Sequence, residues 1–166
     1  DPRGVLLPAD LHVSRSLARS RRRYELRVDA AFAEVIDACA SRGDPLTDWI
    51  SPAIRDAYVR LHELGHAHSV EAWRDGTLAG GLYGVALGGL FAGESMFSRE
   101  RDASKAALAG LVELVGPEAL IDVQWLTPHL ASLGATEIPR DEYLERLDRA
   151  LDLPTPDAFR RASPSP

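Results

Sequence analysis

The sequence contains a single cysteine, Cys39, among its 166 residues, so no disulfide can form within the chain. A lone thiol is typical of proteins in a reducing compartment, and we expect a cytoplasmic location. No signal peptide is visible, and no apolar run is long enough for a confident membrane helix, so we expect no membrane partner. The initiator methionine is also missing, because the chain begins with Asp1, and we therefore expect a fragment or a product that lacks its N-terminal part.

Charged residues are absent from Thr77 to Gly93, and we expect the fold to be organised around this stretch and the residues that follow it. Six glycines interrupt the segment from Leu78 to Arg99, which makes a helix a poor prediction. The pattern predicts two buried strands joined by a turn at Gly88-Gly89, since this dipeptide readily adopts positive φ angles. Glu94 follows directly and is a candidate functional carboxylate, although a paired structural glutamate would give the same pattern.

The charge is unevenly distributed along the chain. The net charge is −6, yet residues 1–28 carry seven arginines against three acidic residues, a local balance of +4. Leu11–Arg23 has the apolar spacing of a short helix, with Ser14 as a candidate cap. Four arginines cluster on that helix: Arg15, Arg19 and Arg22 on one face, with Arg23 beside them. A basic lobe on an acidic chain predicts a local contact with an anion such as a nucleic-acid backbone, and a solvated helix surface is the alternative.

Helices and strands alternate over the rest of the chain. Alternation around a hairpin predicts an α+β fold, an α/β sandwich with a mixed sheet flanked by helices, in one domain over residues 1–153. Residues 154–166 are rich in proline and serine and predict a flexible tail. The main predicted segments are a helix over Asp29–Ala40 capped by Asp29, a helix from Pro52 that stops at Gly65, a helix over Asp102–Val115, a strand over Leu120–Leu126 and a helix over Arg140–Leu151.

One motif indicates a different chemistry. His62-Glu63-Leu64-Gly65-His66 matches H-E-x-x-H, in which two histidines on one helix face bind zinc and the glutamate acts as general base. The predicted helix ends at Gly65, however, so His66 is not expected to share a face with His62. His68 lies in the wrong register for a third ligand, and a histidine near a helix C-terminus also has a structural role. We expect no metal here and keep a zinc peptidase as an alternative.

Asp122 and Gln124 alternate on one face of the otherwise apolar strand over Leu120–Leu126. Burying an unpaired carboxylate is costly, so these two side chains must either be satisfied by hydrogen bonds or be retained for chemistry.

These residues and several longer segments carry a resemblance to a known family. The sequence resembles the bacterial leucyl/phenylalanyl-tRNA–protein transferase family over nearly its whole length. The matching segments are LHVSRS, YVRLHELGHAHSVEAW, the glycine hairpin with GESMFSR, DASKAAL, LIDVQ and HLASLGATEIPR. HELGH is part of this family's pattern, in which it is no zinc site.

The resemblance implies a fold and an activity. It implies a domain like that of GNAT acetyltransferases, and transfer of Leu, Phe or Met from aminoacyl-tRNA to the α-amine of an acceptor protein that begins with Arg or Lys. This modification marks the acceptor for degradation, and it needs no cofactor. The family's smaller N-terminal domain, which normally precedes the DPR segment, is absent here, so the chain alone is expected to be weakly active or inactive.

The resemblance also implies roles for individual residues. Glu94 orients the substrate, and Asp122 holds Gln124, which orients or helps to deprotonate the incoming amine; whether Asp122 is itself a general base stays open. The apolar pocket for the amino-acid side chain is formed by Leu82, Phe91, Leu108, Leu111 and Ile121, with Trp49 near the 3′-terminal adenosine. The tRNA acceptor stem is held by Arg15, Arg19, Arg22 and Arg23.

Three further functions remain open on the sequence alone. A GNAT-like N-acyltransferase would use acetyl-CoA, but no glycine-rich pyrophosphate loop of the expected pattern is visible. The chain could instead acylate a different amine from aminoacyl-tRNA, or be a non-catalytic remnant that only binds tRNA.

Overall fold

A single mixed sheet forms the centre of the computed structural model, which describes residues 1–41 and 49–160. Its strands are β1 (Arg3–Leu6), β2 (Glu25–Val28), β3 (Ala67–Arg74), β4 (Thr77–Leu87), β5 (Leu90–Ser98), β6 (Leu120–Gln124) and β7 (Thr136–Ile138). Over the described residues the spatial order is β2-β3-β4-β5-β6-β1-β7. Neighbouring strands are antiparallel except β5 and β6, which are parallel. The predicted α+β class is confirmed.

Helices cover both faces of the sheet. They are α1 (Arg15–Ser20), α2 (Phe32–Ala40), α3 (Pro52–Glu63), α4 (Ala103–Val115), α5 (Pro128–Ser132) and α6 (Arg140–Leu151). Leu82 and Tyr83 are adjacent on β4 and therefore point to opposite faces. Leu82 packs in a core cluster with residues of α4, whereas Tyr83 packs in a second cluster with residues of α2. No helix of the described residues is both long and apolar enough to cross a membrane.

The glycine-rich stretch forms the predicted hairpin of β4 and β5. Gly88 at its turn has φ +55°, and a Cβ there would lie 2.7 Å from the carbonyl oxygen of Leu153, so glycine is needed for two reasons. Gly80 lets α4 approach the sheet, because its Cβ would lie 2.6 Å from the Cβ of Ala103. The small residues therefore allow the hairpin and α4 to pack closely together.

The basic segment differs from its prediction in length. Ser14 does cap the helix, since its Oγ accepts the Leu17 N–H at 3.0 Å. The helix begins only at Arg15 and ends at Ser20, and residues 21–23 form a 3-10 turn that leads into β2. The prediction of one helix over 11–23 was therefore wrong, and Arg22 does not continue the helix face of Arg15.

Asp29 does not cap α2, contrary to prediction. It is buried with φ 58°, and its carboxylate accepts the Ser69 N–H at 2.9 Å and lies 2.6 Å from Nδ1 of His68. At the start of α2, the Ala31 N–H donates instead to Glu71 of β3 at 2.9 Å. A side chain from a neighbouring strand thus supplies the acceptor, which local sequence patterns cannot reveal.

The segment after α6 is ordered further than predicted. The tail was expected to be flexible from Pro154, yet residues 157–159 form a 3-10 turn and Phe159 is only 3% exposed. The Phe159 ring stacks between Phe91 and His68, with centroid distances of 5.6 and 4.5 Å. Residues 154–160 therefore belong to the folded domain, and 161–166 lie outside the described residues.

Candidate active site

A cavity of about 990 Å³ lies where β5 and β6 separate. The two strands pair only from Leu90 to Ala92, whereas β5 continues to Ser98. One side of the cavity is therefore lined by residues 93–99, and another by residues at and after the end of β6. A concave cavity lined mainly by apolar side chains with a few polar groups has the character of a ligand site.

An apolar wall forms the inner part of this cavity. The five apolar residues predicted to hold an amino-acid side chain all line it, and all belong to one core cluster: Leu82, Phe91, Leu108, Leu111 and Ile121. Phe91 and Ile121 face each other across the parallel ladder, and Leu108 and Leu111 are one helical turn apart on α4. Trp49 also lines the cavity; the residue is 36% exposed, and its ring centroid lies 6.4 Å from that of Tyr58.

A β-bulge places Glu94 in the cavity. Gly84 pairs with Gly93 and Tyr83 pairs with Ser95, so Glu94 is the extra residue between two regular pairs. Burial raises the pKa of Glu94, and hydrogen bonds to its carboxylate from Tyr58 and Gln124 offset part of this rise. The hairpin was predicted from sequence, but the bulge that directs this side chain was not.

Gln124 connects β6 to this carboxylate. Its side-chain Nε2 donates to Oε2 of Glu94 and to the carbonyl oxygen of Gly93, both at 3.2 Å. Gln124 has φ 71°, in the left-handed region, and its own N–H donates to Oδ1 of Asp122 at 2.7 Å. Asp122 and Gln124 thus come together, and Asp122 holds the backbone of Gln124 in an unusual conformation.

Asp122 lies beneath the site and is only 2% exposed. Arg3 of β1 approaches its carboxylate with Nε at 3.0 Å from Oδ1 and Nη2 at 2.9 Å from Oδ2. Tyr143 of α6 donates its hydroxyl to Oδ2 at 2.6 Å. The buried charge is therefore fully partnered, as the cost of burial requires.

Sequence reasoning missed three polar residues of the site: Arg3, Tyr58 and Tyr143. Burial and the nearby carboxylates raise the pKa of Tyr58 and of Tyr143 to about 12, and the hydrogen bond to Asp122 raises the pKa of Arg3. Both phenols keep their protons at neutral pH and act as donors. Tyr58 begins the matching segment YVRLHELGHAHSVEAW, but nothing in the sequence marks it, Arg3 or Tyr143 as a site residue. Their partners are distant in sequence, and only the folded sheet brings them together.

The four predicted tRNA-binding arginines lie outside the cavity lining. Arg15, Arg19, Arg22 and Arg23 are all exposed, and none forms a salt bridge with a residue of the ranges 1–41 and 49–160. Arg21, between them, instead pairs with Glu113 at 2.8 Å. The four guanidinium groups are thus available to an anion.

The histidines do not form the H-E-x-x-H arrangement. Because α3 ends at Glu63 and Gly65 has φ +87°, His66 is exposed outside the helix. Ligand atoms of Asp29, His62 and His68 do lie within 4.8 Å of one another. These atoms are engaged in hydrogen bonds, however: the two ring nitrogens of His68 contact the Asp29 carboxylate and the Gly65 carbonyl, and Nδ1 of His62 contacts the Ala67 carbonyl. The three side chains thus form a hydrogen-bond network in which Asp29 and His68 are buried and His62 is partly buried.

Known proteins similar in sequence to this chain belong to the family that the sequence motifs resemble. A family model described as leucyl/phenylalanyl-tRNA protein transferase matches residues 5–148. A protein of Ruegeria pomeroyi with the name leucyl/phenylalanyl-tRNA–protein transferase is 56% identical over 154 residues, which cover 90% of this chain and 72% of that protein.

Two other relatives carry the same name. The protein of Aromatoleum aromaticum is 60% identical over 149 residues, covering 86% of this chain and 62% of the relative. The protein of an Anaeromyxobacter species is 57% identical over 161 residues, covering 93% of this chain and 68% of the relative. The chain thus spans between 62% and 72% of the length of these three relatives.

Proposed function

Because the chain belongs to the leucyl/phenylalanyl-tRNA–protein transferase family, we propose that it transfers leucine or phenylalanine from aminoacyl-tRNA to the N-terminal α-amine of acceptor proteins that begin with Arg or Lys. The amine attacks the ester carbonyl, a peptide bond forms, and the tRNA leaves with its terminal hydroxyl restored. The product then enters protein degradation in the cytoplasm. One observation supports this function most directly: the five apolar side chains assigned to the amino-acid pocket line a single cavity together with Trp49 and Glu94.

The apolar wall receives the amino-acid side chain. Leucine and phenylalanine gain free energy by leaving water, at roughly 25 cal/mol per Å² of apolar surface. Amino acids with small side chains would leave part of the cavity unfilled, and each missing methylene costs about 1–3 kcal/mol. Selectivity for large apolar residues follows from the size and composition of this wall.

The reaction itself needs little base strength. An N-terminal α-amine has a pKa of about 7.7–8, so roughly a tenth of the acceptor is already neutral at pH 7. An ester of tRNA is an activated carbonyl, and correct placement of the two reactants supplies most of the acceleration. The site therefore has to hold the amine in line with the carbonyl.

Gln124 and Glu94 have the geometry for holding an amine. The amide group of Gln124 donates to Gly93 and Glu94, which directs its oxygen away from them as an acceptor for an incoming N–H. The Glu94 carboxylate offers negative charge to an ammonium or amine in a partly buried site. These two residues orient the nucleophile.

Asp122 acts as a positioning residue and not as the general base. Its two oxygens already accept hydrogen bonds from Arg3, Tyr143 and the Gln124 N–H, and the residue is only 2% exposed. A base must lie within reach of the proton that it removes. Asp122 instead keeps the end of β6 in the conformation that presents Gln124.

The four exposed arginines would bind the phosphates of the donor substrate, aminoacyl-tRNA. Arginine contacts with phosphates provide affinity without reading the base sequence. This fits an enzyme that accepts a tRNA because of its amino acid and its 3′ end.

A transfer assay tests this function. We expect radiolabel from Phe-tRNA or Leu-tRNA to appear in a peptide that begins with arginine, through a bond that resists alkali. The same peptide with an acetylated N-terminus should remain unlabelled, and a peptide that begins with aspartate should be labelled far more slowly. If the full-length protein labels none of these peptides, the proposed function is wrong.

A further inference from the structure

Trp125 is an exposed indole at the cavity that no part of the proposed mechanism uses. It directly follows β6, lines the same cavity as the apolar wall, and is 54% exposed. A single exposed apolar residue on a protein surface needs no explanation. An indole at the mouth of a ligand cavity is different, because it offers a flat face to whatever enters.

The backbone fixes the position from which this indole projects. The Trp125 N–H donates to the carbonyl oxygen of Val123 at 2.9 Å, which forms a tight turn directly after the left-handed residue Gln124. β1 packs against this turn, and a Cβ at Gly4 would lie 2.7 Å from the carbonyl carbon of Trp125. The indole is therefore presented by a rigid strand end, which lowers the entropic cost of binding through it.

We propose that Trp125 is a stacking platform for an unpaired base of the tRNA 3′ end, in addition to the contact assigned to Trp49. This inference rests on the proposed function, since it takes aminoacyl-tRNA as the donor. The ester lies at the end of a single-stranded CCA segment, and proteins hold unpaired bases by stacking them on aromatic side chains. The cavity is also far larger than one leucine or phenylalanine side chain, at about 990 Å³.

The charged groups around Trp125 favour a nucleobase as the ligand of its indole over the cationic side chain of the acceptor. The lining residues that follow Trp125 carry no carboxylate: Thr127, His129 and Leu130. The carboxylates of the lining come instead from α2 and β5, namely Glu34, Asp37 and Glu94. A guanidinium or ammonium group would be attracted to those carboxylates. An uncharged nucleobase gains most of its binding free energy by stacking on an apolar aromatic face.

Binding measurements with two probes test the proposal. The first probe is the trinucleotide CCA carrying phenylalanine through a stable 3′-amide, and the second is phenylalanine methyl ester, which has no base. We expect Trp125→Ala to weaken binding of the first probe by about 5- to 100-fold and to change binding of the second less than about twofold. Trp125→Phe should retain most of the affinity, because it keeps an aromatic face.

Leu64→Ala is the matched control, since Leu64 is 53% exposed but lies outside the cavity lining. Unchanged binding of the CCA probe to Trp125→Ala would overturn the proposal. Equal losses for both probes would also overturn it, because Trp125 would then support the side-chain pocket. A raised KM for the acceptor peptide with unchanged CCA binding would assign Trp125 to the acceptor and equally overturn it. Failure of the proposed function is distinct, because the unsubstituted protein would then neither bind the CCA probe nor transfer.

Discussion

Replacing Asp122 with asparagine is expected to slow single-turnover transfer by about 100-fold while leaving the affinity for aminoacyl-tRNA nearly unchanged. Asparagine has one acceptor oxygen, so it cannot accept from Arg3, Tyr143 and the Gln124 N–H together. The end of β6 should then lose its fixed conformation, and the Gln124 side chain should lose its place beside Glu94. Transfer should fall because the amine is misplaced, whereas affinity should persist because Asp122 is buried and the side chains that line the cavity are unchanged.

The loss of these hydrogen bonds should also lower the free energy of unfolding by about 2 kcal/mol. Asp75→Asn is the matched control, because Asp75 is 95% exposed, lies outside the cavity lining and should change neither quantity. Tyr143→Phe removes a single hydrogen bond to the same carboxylate and should give a smaller loss of rate in a folded protein. If Asp122→Asn and Tyr143→Phe both transferred at the rate of the unsubstituted protein, the positioning role of Asp122 would be contradicted.

Replacing Glu94 with glutamine is expected to reduce transfer by about 100-fold and, at neutral pH, to stabilise the fold. The activity falls because the neutral amide offers no negative charge to the acceptor amine. The stability rises because burial disfavours the charged carboxylate, which is also why the pKa of Glu94 is raised. A gain of stability with a loss of function is the pattern expected of a residue retained for chemistry.

The difference in stability between the unsubstituted protein and Glu94→Gln should depend on pH with a definite sign. The folded state binds the Glu94 proton more tightly than the unfolded state, so stability falls as pH rises from the usual carboxyl range through the raised pKa. Glutamine has no such dependence. Urea unfolding of both proteins at a series of pH values should therefore show a difference in the free energy of unfolding that grows over this pH window and is constant above it. If the free energies of unfolding of the two proteins changed in parallel at all pH values, burial of the Glu94 carboxylate would not destabilise the fold.

The sequence predicted the elements whose pattern is local. The glycine hairpin, the termination of α3 before Gly65 and the span of α6 all follow from turn residues and helical periodicity, and the structure confirms them. The apolar residues of the wall could be named because of the resemblance, and the spacing of Leu108 and Leu111 already places that pair on one side of a helix.

Features that depend on long-range packing could not be predicted from the sequence. The bulge at Glu94 arises from the register of two strands, and no residue type marks it. Arg3 meets Asp122 across 119 positions of sequence. Asp29 had the residue type and spacing of a helix cap, yet a buried histidine and a backbone N–H of β3 compete for its carboxylate. In each case a partner from another element decides the conformation.

The direct test of the cavity's role is the ratio of phenylalanine to leucine transferred from an equal mixture of the two aminoacyl-tRNAs. Leu111 is 1% exposed in the folded protein and lines the cavity, so Leu111→Phe should reduce the space for the substrate side chain. If the wall receives that side chain, the ratio should fall by about 10-fold or more in a variant whose unfolding shows that it remains folded. An unchanged ratio in a folded, active Leu111→Phe protein would contradict the assignment of this cavity to the amino acid.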